Sequence, residues 1–149
     1  MKFTIAALVA TVAAKKSDFP TGTFGHAHCK ATSTVNGTCA QTFANFEDSV
    51  MNRADPSKGH YTLKEEANLD YIWGTRLGAG GKYTDDVMWE FKDVNGGCQV
   101  SGSSRSQSLS LLDYNTNYCN IYNVFRMSGM TYTSLATTSC SYNDQTACD

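Results

Sequence analysis

His60-Tyr61-Thr62-Leu63-Lys64-Glu65-Glu66-Ala67-Asn68-Leu69-Asp70-Tyr71-Ile72-Trp73-Gly74-Thr75-Arg76-Leu77 is the stretch on which the reading of the fold turns. Its odd positions are apolar apart from Glu65 and Thr75, and its even positions are polar apart from Ile72 and Gly74. Alternation of period two marks a strand with one buried face. Thr62-x-x-Glu65 offers the rival reading, a capping box opening a short helix through Trp73. The longer pattern favours one long strand, with Glu65 as the odd acid on its apolar face. That residue would either point into a cavity as a ligand contact or general base, or sit in solvent at a sheet edge.

Downstream, Gly78-Ala79-Gly80-Gly81 is a turn, and Tyr83, Val87, Trp89 and Phe91 alternate with polar residues to give a second strand and hence a hairpin. Asn95-Gly96-Gly97 turns the chain into a third, serine-rich strand over 98–112. Asp113-Tyr114-Asn115-Thr116-Asn117 turns it again, before a fourth strand over 118–127 and a fifth over 132–140. Upstream, Phe43, Phe46, Val50 and Met51 recur at helical spacing between a Thr38 N-cap and the stop Asp55-Pro56, which predicts a helix over 39–53. Residues 15–38, rich in Gly, Thr and Ser, read as an extended N-terminal segment, and 39–149 as a single domain. The expected class is α+β, with one N-terminal helix packed on a four- to five-stranded antiparallel meander and stapled by disulfides. This order resembles that of the cystatin-like and related cone-shaped folds.

Residues 1–14 carry Lys2, an apolar run from Phe3 and small residues up to Ala14, the pattern of a secretory signal peptide cleaved after Ala14. Twelve apolar-dominated residues fall short of the roughly 20 needed to span a bilayer, so no membrane span is expected. Cys29, Cys39, Cys98, Cys119, Cys140 and Cys148 all follow the proposed cut. An even set behind a leader predicts three disulfides, with Cys140 or Cys148 pinning the C-terminal tail and Cys29 and Cys39 tying down the segment before the helix. The expected location is secreted and extracellular. Asn36-Gly37-Thr38 is a glycosylation sequon that would mark an exposed turn at Asn36. Beyond the leader eleven basic residues stand against fourteen acidic ones, and this mild acidity excludes a nucleic-acid footprint.

No chemistry-bearing motif stands out. His26-Ala27-His28-Cys29 lacks further ligands at metal spacing, and the serine strand has no G-x-S-x-G elbow. Neither a metal nor another cofactor is expected. Asp113-Tyr114-Asn115-Thr116-Asn117-Tyr118-Cys119-Asn120, dense in amides and tyrosines, suits recognition of a protein or glycan. The candidate binding residues are therefore Asp113, Tyr114, Asn115, Asn117 and Tyr118, with Glu65 apart from them.

Gly59-His60-Tyr61-Thr62-Leu63, Tyr83-Thr84-Asp85, Gly97-Cys98-Gln99-Val100, Ser104-Arg105-Ser106-Gln107 and Thr116-Asn117-Tyr118-Cys119-Asn120 resemble short secreted cysteine-containing proteins of diatoms and other microalgae, over residues 39–127. That pattern carries further cysteines near Ser103 and Arg126. Their joint absence here implies one bridge fewer. The resemblance implies a habitat and no activity. Three functions stay open: a secreted non-enzymatic module binding an extracellular protein or glycan, a small-ligand carrier or enzyme using a helix/sheet cavity, and a cystatin-like protease inhibitor. The last would wedge Gly22–Gly25, the 78–81 turn and the 113–117 turn into a cleft. It lacks the Q-x-V-x-G spacing, since Gln99-Val100-Ser101-Gly102 departs from it, and has no Pro-Trp pair.

Overall fold

The computed structural model describes residues 14–149, so the leader read over 1–14 lies, but for Ala14, outside the described residues. Strand β1 (His28–Val35) is followed by helix α1 (Cys39–Asn52), strands β2 (His60–Ala67), β3 (Tyr71–Leu77), β4 (Thr84–Val94) and β5 (Gly97–Ser106), helix α2 (Thr116–Ser128) and the short strand β6 (Ala136–Thr138). The strands form one antiparallel sheet in the order β2-β3-β4-β5-β1-β6. Both helices pack on the same face of it. The class is α+β, but the sheet has six strands instead of four or five, and the expected single helix is joined by a second.

Four expectations change. The segment before α1 is not merely extended: Cys29, Ala31, Ser33 and Val35 alternate inward, and β1 joins the sheet between β5 and the edge strand β6, paired with β5 from His28↔Arg105 to Val35↔Cys98. The long strand over 60–77 is a hairpin. Asn68-Leu69-Asp70 forms its turn, closed by the Asp70 N–H donating to the Ala67 carbonyl at 2.9 Å with Leu69 at φ 61°. The fourth strand, 118–127, is instead helix α2. The fifth shrinks to Ala136–Thr138 at the sheet edge.

The apparent unbroken period over 60–77 hides a change of face. Leu63 pairs with Gly74 and Glu65 with Trp73, leaving Lys64 as the extra residue of a β-bulge. Tyr61 and Leu63 therefore face the helices, whereas Glu65 joins Trp73 on the outer face. In β3 the even residues Ile72, Gly74 and Arg76 turn inward and Tyr71 and Trp73 turn outward.

Between sheet and helices the core is aromatic. Phe46 of α1 meets Trp89, Phe91 and Phe125 edge-on, with ring centroids 6.5, 5.6 and 4.9 Å apart. Thr38 caps α1 as expected: its hydroxyl accepts from the Gln41 N–H, while the Gln41 side chain accepts from the Thr38 N–H. Gly102 of β5 is where α2 sits closest, since a Cβ there would drive into the Ile121 side chain. On the outer face Phe19 stacks edge-on against Trp73 at 5.6 Å beside Tyr71 and Met88, and Lys16 bridges Asp70 at 2.7 Å and Glu90 at 2.9 Å. The N-terminal segment thus covers the sheet's second apolar cluster.

The disulfides are Cys29–Cys140, Cys39–Cys98 and Cys119–Cys148. They tie β1 to the stretch after β6, α1 to β5, and α2 to the C-terminus. Three bridges in a domain of this size are compatible with an extracellular protein. Among the described residues no helix is long and apolar enough to cross a membrane.

Candidate functional site

The site begins with the inward-facing residues at one end of the sheet. Alternation along β5 sends Ser104 and Ser106 inward, next to Val87 and Asp85 of β4, and Asp85 in turn pairs with Arg76 of β3. Here the face that is aromatic near its centre becomes polar. Helix α2 answers with Asn117, Asn120 and Asn123, three residues apart, along the side turned to the sheet, each fully buried.

A continuous hydrogen-bonded chain results. Asn120 Nδ2 donates to Asp85 Oδ2 at 2.7 Å and lies 3.0 Å from Ser104 Oγ, and Ser104 Oγ donates to Asn117 Oδ1 at 2.7 Å. Asn117 Nδ2 donates to Asp113 Oδ1 at 2.7 Å, and the Asn117 backbone N–H donates to the same oxygen at 2.9 Å. Asp113 therefore caps α2 by side chain while standing at the mouth of the polar cluster. At the other end Arg76 Nε donates to Asp55 Oδ2 at 2.6 Å, and Asn123 Nδ2 donates to Asp55 Oδ1 at 2.9 Å. Tyr61 donates from its hydroxyl to the Asn120 carbonyl at 2.8 Å.

Burial pushes the Asp85 carboxyl above the usual carboxylate range, and the Asp113 charge adds to the rise. Hydrogen bonds from Asn120 and Ser106 and the charge of Arg76 pull the other way. Burial also raises the Tyr61 hydroxyl, with the Asp55 charge beside it. Among the described residues, Asp113 Oδ2, Asn120 Oδ1 and Asn123 Oδ1 are buried without a hydrogen-bond partner.

Over this floor lies a groove of about 700 Å³, walled by the Gly78–Gly80 turn and Tyr83 on one side and residues 109–116 on the other, with Arg76, Asp85, Ser106 and Asp113 lining it. Its rim is apolar and in solvent: Leu109 is 80%, Leu111 86%, Leu112 62% and Tyr114 76% exposed. The 107–115 loop is held to the N-terminal segment, with the Ser110 N–H donating to the Gly25 carbonyl at 2.9 Å and Arg105 donating to the Gly22 carbonyl.

The structure brings the sequence candidates only partly together. Asp113 and Tyr114 line the groove, Tyr114 at φ 45°. Asn115 lines it too, but its side chain pins the C-terminus, Nδ2 donating to the Asp144 carbonyl at 2.6 Å and Oδ1 accepting from the Asp144 N–H at 3.1 Å. Asn117 belongs to the buried network. Tyr118 is buried away from the groove and stacks on Tyr122 at 5.8 Å. Glu65 lies on the outer face of β2, far in the fold from this end of the inner face, and is no part of the site. Asn36 is exposed just before α1, where the sequon's Thr38 also caps the helix. His26 Nδ1 is 2.9 Å from the Ser106 carbonyl and His28 Nδ1 3.1 Å from that of His26. Among the described residues, no three His, Cys, Asp or Glu side chains gather as a metal site.

Reading from sequence missed Asp55, Arg76 and Asn123, and left Asn120, though within the amide-rich stretch, out of the candidate residues. Arg76 looked like the polar side of a strand, and the asparagines are visible as a helix face only once 116–128 is recognised as helical. The signal was there: Ile121, Val124, Phe125 and Ser128 follow helical spacing and Gly129 stops the run at φ 68°.

No family model matches the chain, and no curated protein sequence does. Among solved structures it is similar to the di-domain ARO/CYC StfQ from the steffimycin biosynthetic pathway, at 8% identity and a TM-score of 0.47 over 69% of this chain and 49% of that one. It is likewise similar to an uncharacterized protein from Rhizobium leguminosarum, at 8% identity and a TM-score of 0.49 over 69% of this chain and 91% of that one. The chain thus spans about half the length of the di-domain protein.

Proposed function

We propose that this is a secreted, non-enzymatic binding module whose working surface is the groove between the 78–83 turn and the 109–116 loop, and that its partner is an extracellular protein in preference to a glycan. The observation that carries the reading is the exposed rim of Leu109, Leu111, Leu112 and Tyr114 set around a buried polar floor. Exposed apolar clusters bounded by polar groups mark interaction surfaces, and side chains seated at a desolvated centre supply most of the affinity. Asp85 and Asp113 are held by Asn120 and Asn117 as fixed acceptors, an arrangement suited to recognition. The leader, the three bridges and the likeness to secreted microalgal proteins support an extracellular setting.

The test is an array of extracellular proteins and glycans probed with the wild-type protein and with Leu112→Ser/Tyr114→Ser. Protein ligands whose signal the double variant loses support the reading. Glycan ligands alone overturn the choice of partner, and ligands indifferent to the substitutions overturn the site. A protease-inhibitor form of the same reading has one observation in its favour. Gly22–Gly25, the 78–81 turn and the 113–117 turn all adjoin this edge, through the contacts of Gly22 with Arg105, Gly25 with Ser110, and Leu109 across the groove. Inhibition of papain-like proteases at micromolar concentration supports it, and inactivity across several ends it. The carrier reading has the groove's volume of about 700 Å³, a size that small ligands also fill. Saturable uptake of a small apolar dye, displaced by no protein ligand, would favour that reading instead.

A further inference from the structure

The groove floor carries unbalanced charge. Asp85 and Asp113 line it with Arg76, whose guanidinium is paired to Asp55, and all three carboxylates are at most 7% exposed. Arg76 is committed to Asp55, the two side chains 2.6 Å apart and almost wholly buried. Asp85 and Asp113 receive only neutral amide and hydroxyl donors, and Asp113 Oδ2 receives none among the described residues. Two further cations stand nearby: Arg126 is turned to Asp149, 2.5 Å away on the surface, and Lys82 lies over the Tyr83 ring, 5.0 Å from its centroid, with no ion pair to Asp85 or Asp113 among the described residues. Burying carboxylates without a countercharge is costly, and a cation entering from the groove recovers that cost. The groove's opening above these carboxylates is apolar.

Charge and rim together specify an occupant. On the reading that the groove binds a protein, we infer that it takes a lysine or arginine side chain of the partner, flanked by apolar residues: the cationic head reaches Asp113 and Asp85, and the neighbouring side chains lie on Leu109, Leu112 and Tyr114. An acidic side chain at the same place would be repelled, and a neutral amide could donate to Asp113 Oδ2 but would leave the buried charge uncompensated.

The experiment titrates the full ¹⁵N-labelled protein with three N-acetylated, C-amidated tripeptides, Leu-Lys-Leu, Leu-Gln-Leu and Leu-Glu-Leu, following the side-chain amide signals of Asn115, Asn117 and Asn120. Saturable shifts are expected with the lysine peptide, at an affinity about tenfold above the glutamine peptide, and none with the glutamate peptide. Asp113→Asn keeps an acceptor for the cap of α2 and removes the charge, so it should bring the lysine and glutamine peptides to parity, as should Asp85→Asn. Asp93→Asn, exposed at the far end of β4, should leave the preference intact. Equal binding of lysine and glutamine peptides by the wild type overturns the cation and leaves the groove as a binding surface. So does a preference that survives both aspartate substitutions in variants retaining a dispersed native spectrum. No saturable shift from any peptide at millimolar concentration overturns the groove reading as well.

Discussion

Asp85 is held by its neighbours at a cost that depends on pH. Burial keeps its carboxyl above the usual carboxylate range, so the folded chain binds its proton at pH values where the unfolded chain has released it. Where the native state holds more protons, stability falls as pH rises. The loss starts at the unfolded value near about pH 4 and is complete above the raised folded value. Asp85→Asn should remove it: urea denaturation from about pH 4 to about pH 7 should show the variant gaining on the wild type as pH rises, and parallel profiles would contradict this. Arg76 has the opposite part. With its side chain only 4% and that of Asp55 0% exposed, Arg76→Leu strands a buried carboxylate and should cost about 3–5 kcal/mol, measured by the same denaturation. Replacing both partners by apolar residues should cost less, because no unpaired charge remains.

At the scale of elements, the decisive contact is between β5 and α2. A serine-rich strand is an unusual partner for a helix, and its small residues explain the match: Gly102 admits Ile121, while Ser104 and Ser106 meet Asn117 and Asn120. Gly102→Ala should push α2 off the sheet and cost about 1–3 kcal/mol, and Ile121→Ala, which removes the Cγ2 that the new methyl meets, should recover part of it in the same chain. A double-mutant cycle read by thermal denaturation checks this, and simple additivity would place the clash elsewhere. Because α2 carries Asp113 at its cap and the asparagine row on its face, the same substitution should also weaken whatever the groove binds. The bulge at Lys64 matters in another way. One added residue moved Glu65 to the outer face and turned Arg76 inward, so the acid that looked functional became peripheral and the base that looked peripheral entered the site.

For the whole molecule, the three disulfides and the N-terminal segment hold the layers together around a modest core. Cys39–Cys98 closes 59 residues between the start of α1 and the start of β5, and its loss as Cys39→Ser/Cys98→Ser should cost about 4 kcal/mol on the chain-entropy model, seen as a lower urea midpoint under non-reducing conditions. An unchanged midpoint would show that the aromatic core holds α1 to the sheet unaided. What the sequence alone determined is what short-range chemistry dictates: helix α1 with its Thr38 cap, the hairpin of β4 and β5 at Asn95-Gly96-Gly97, the α+β class and the even set of cysteines. Residues 118–127 read as a strand because Tyr, Cys, Ile, Val and Phe favour sheets, and β1 went unseen among threonines and serines. Tertiary packing overrode both, since intrinsic preference is worth a few tenths of a kcal/mol per residue and burial of a face several times that. The sequence reading put a binding surface at Asp113 and Tyr114; in the fold both line the groove, Tyr114 exposed and Asp113 buried. That Asp113 stands over a buried floor with Asp85 and Arg76 was decided only in three dimensions, because these residues come from a loop and two strands whose facing depends on one bulge and one turn.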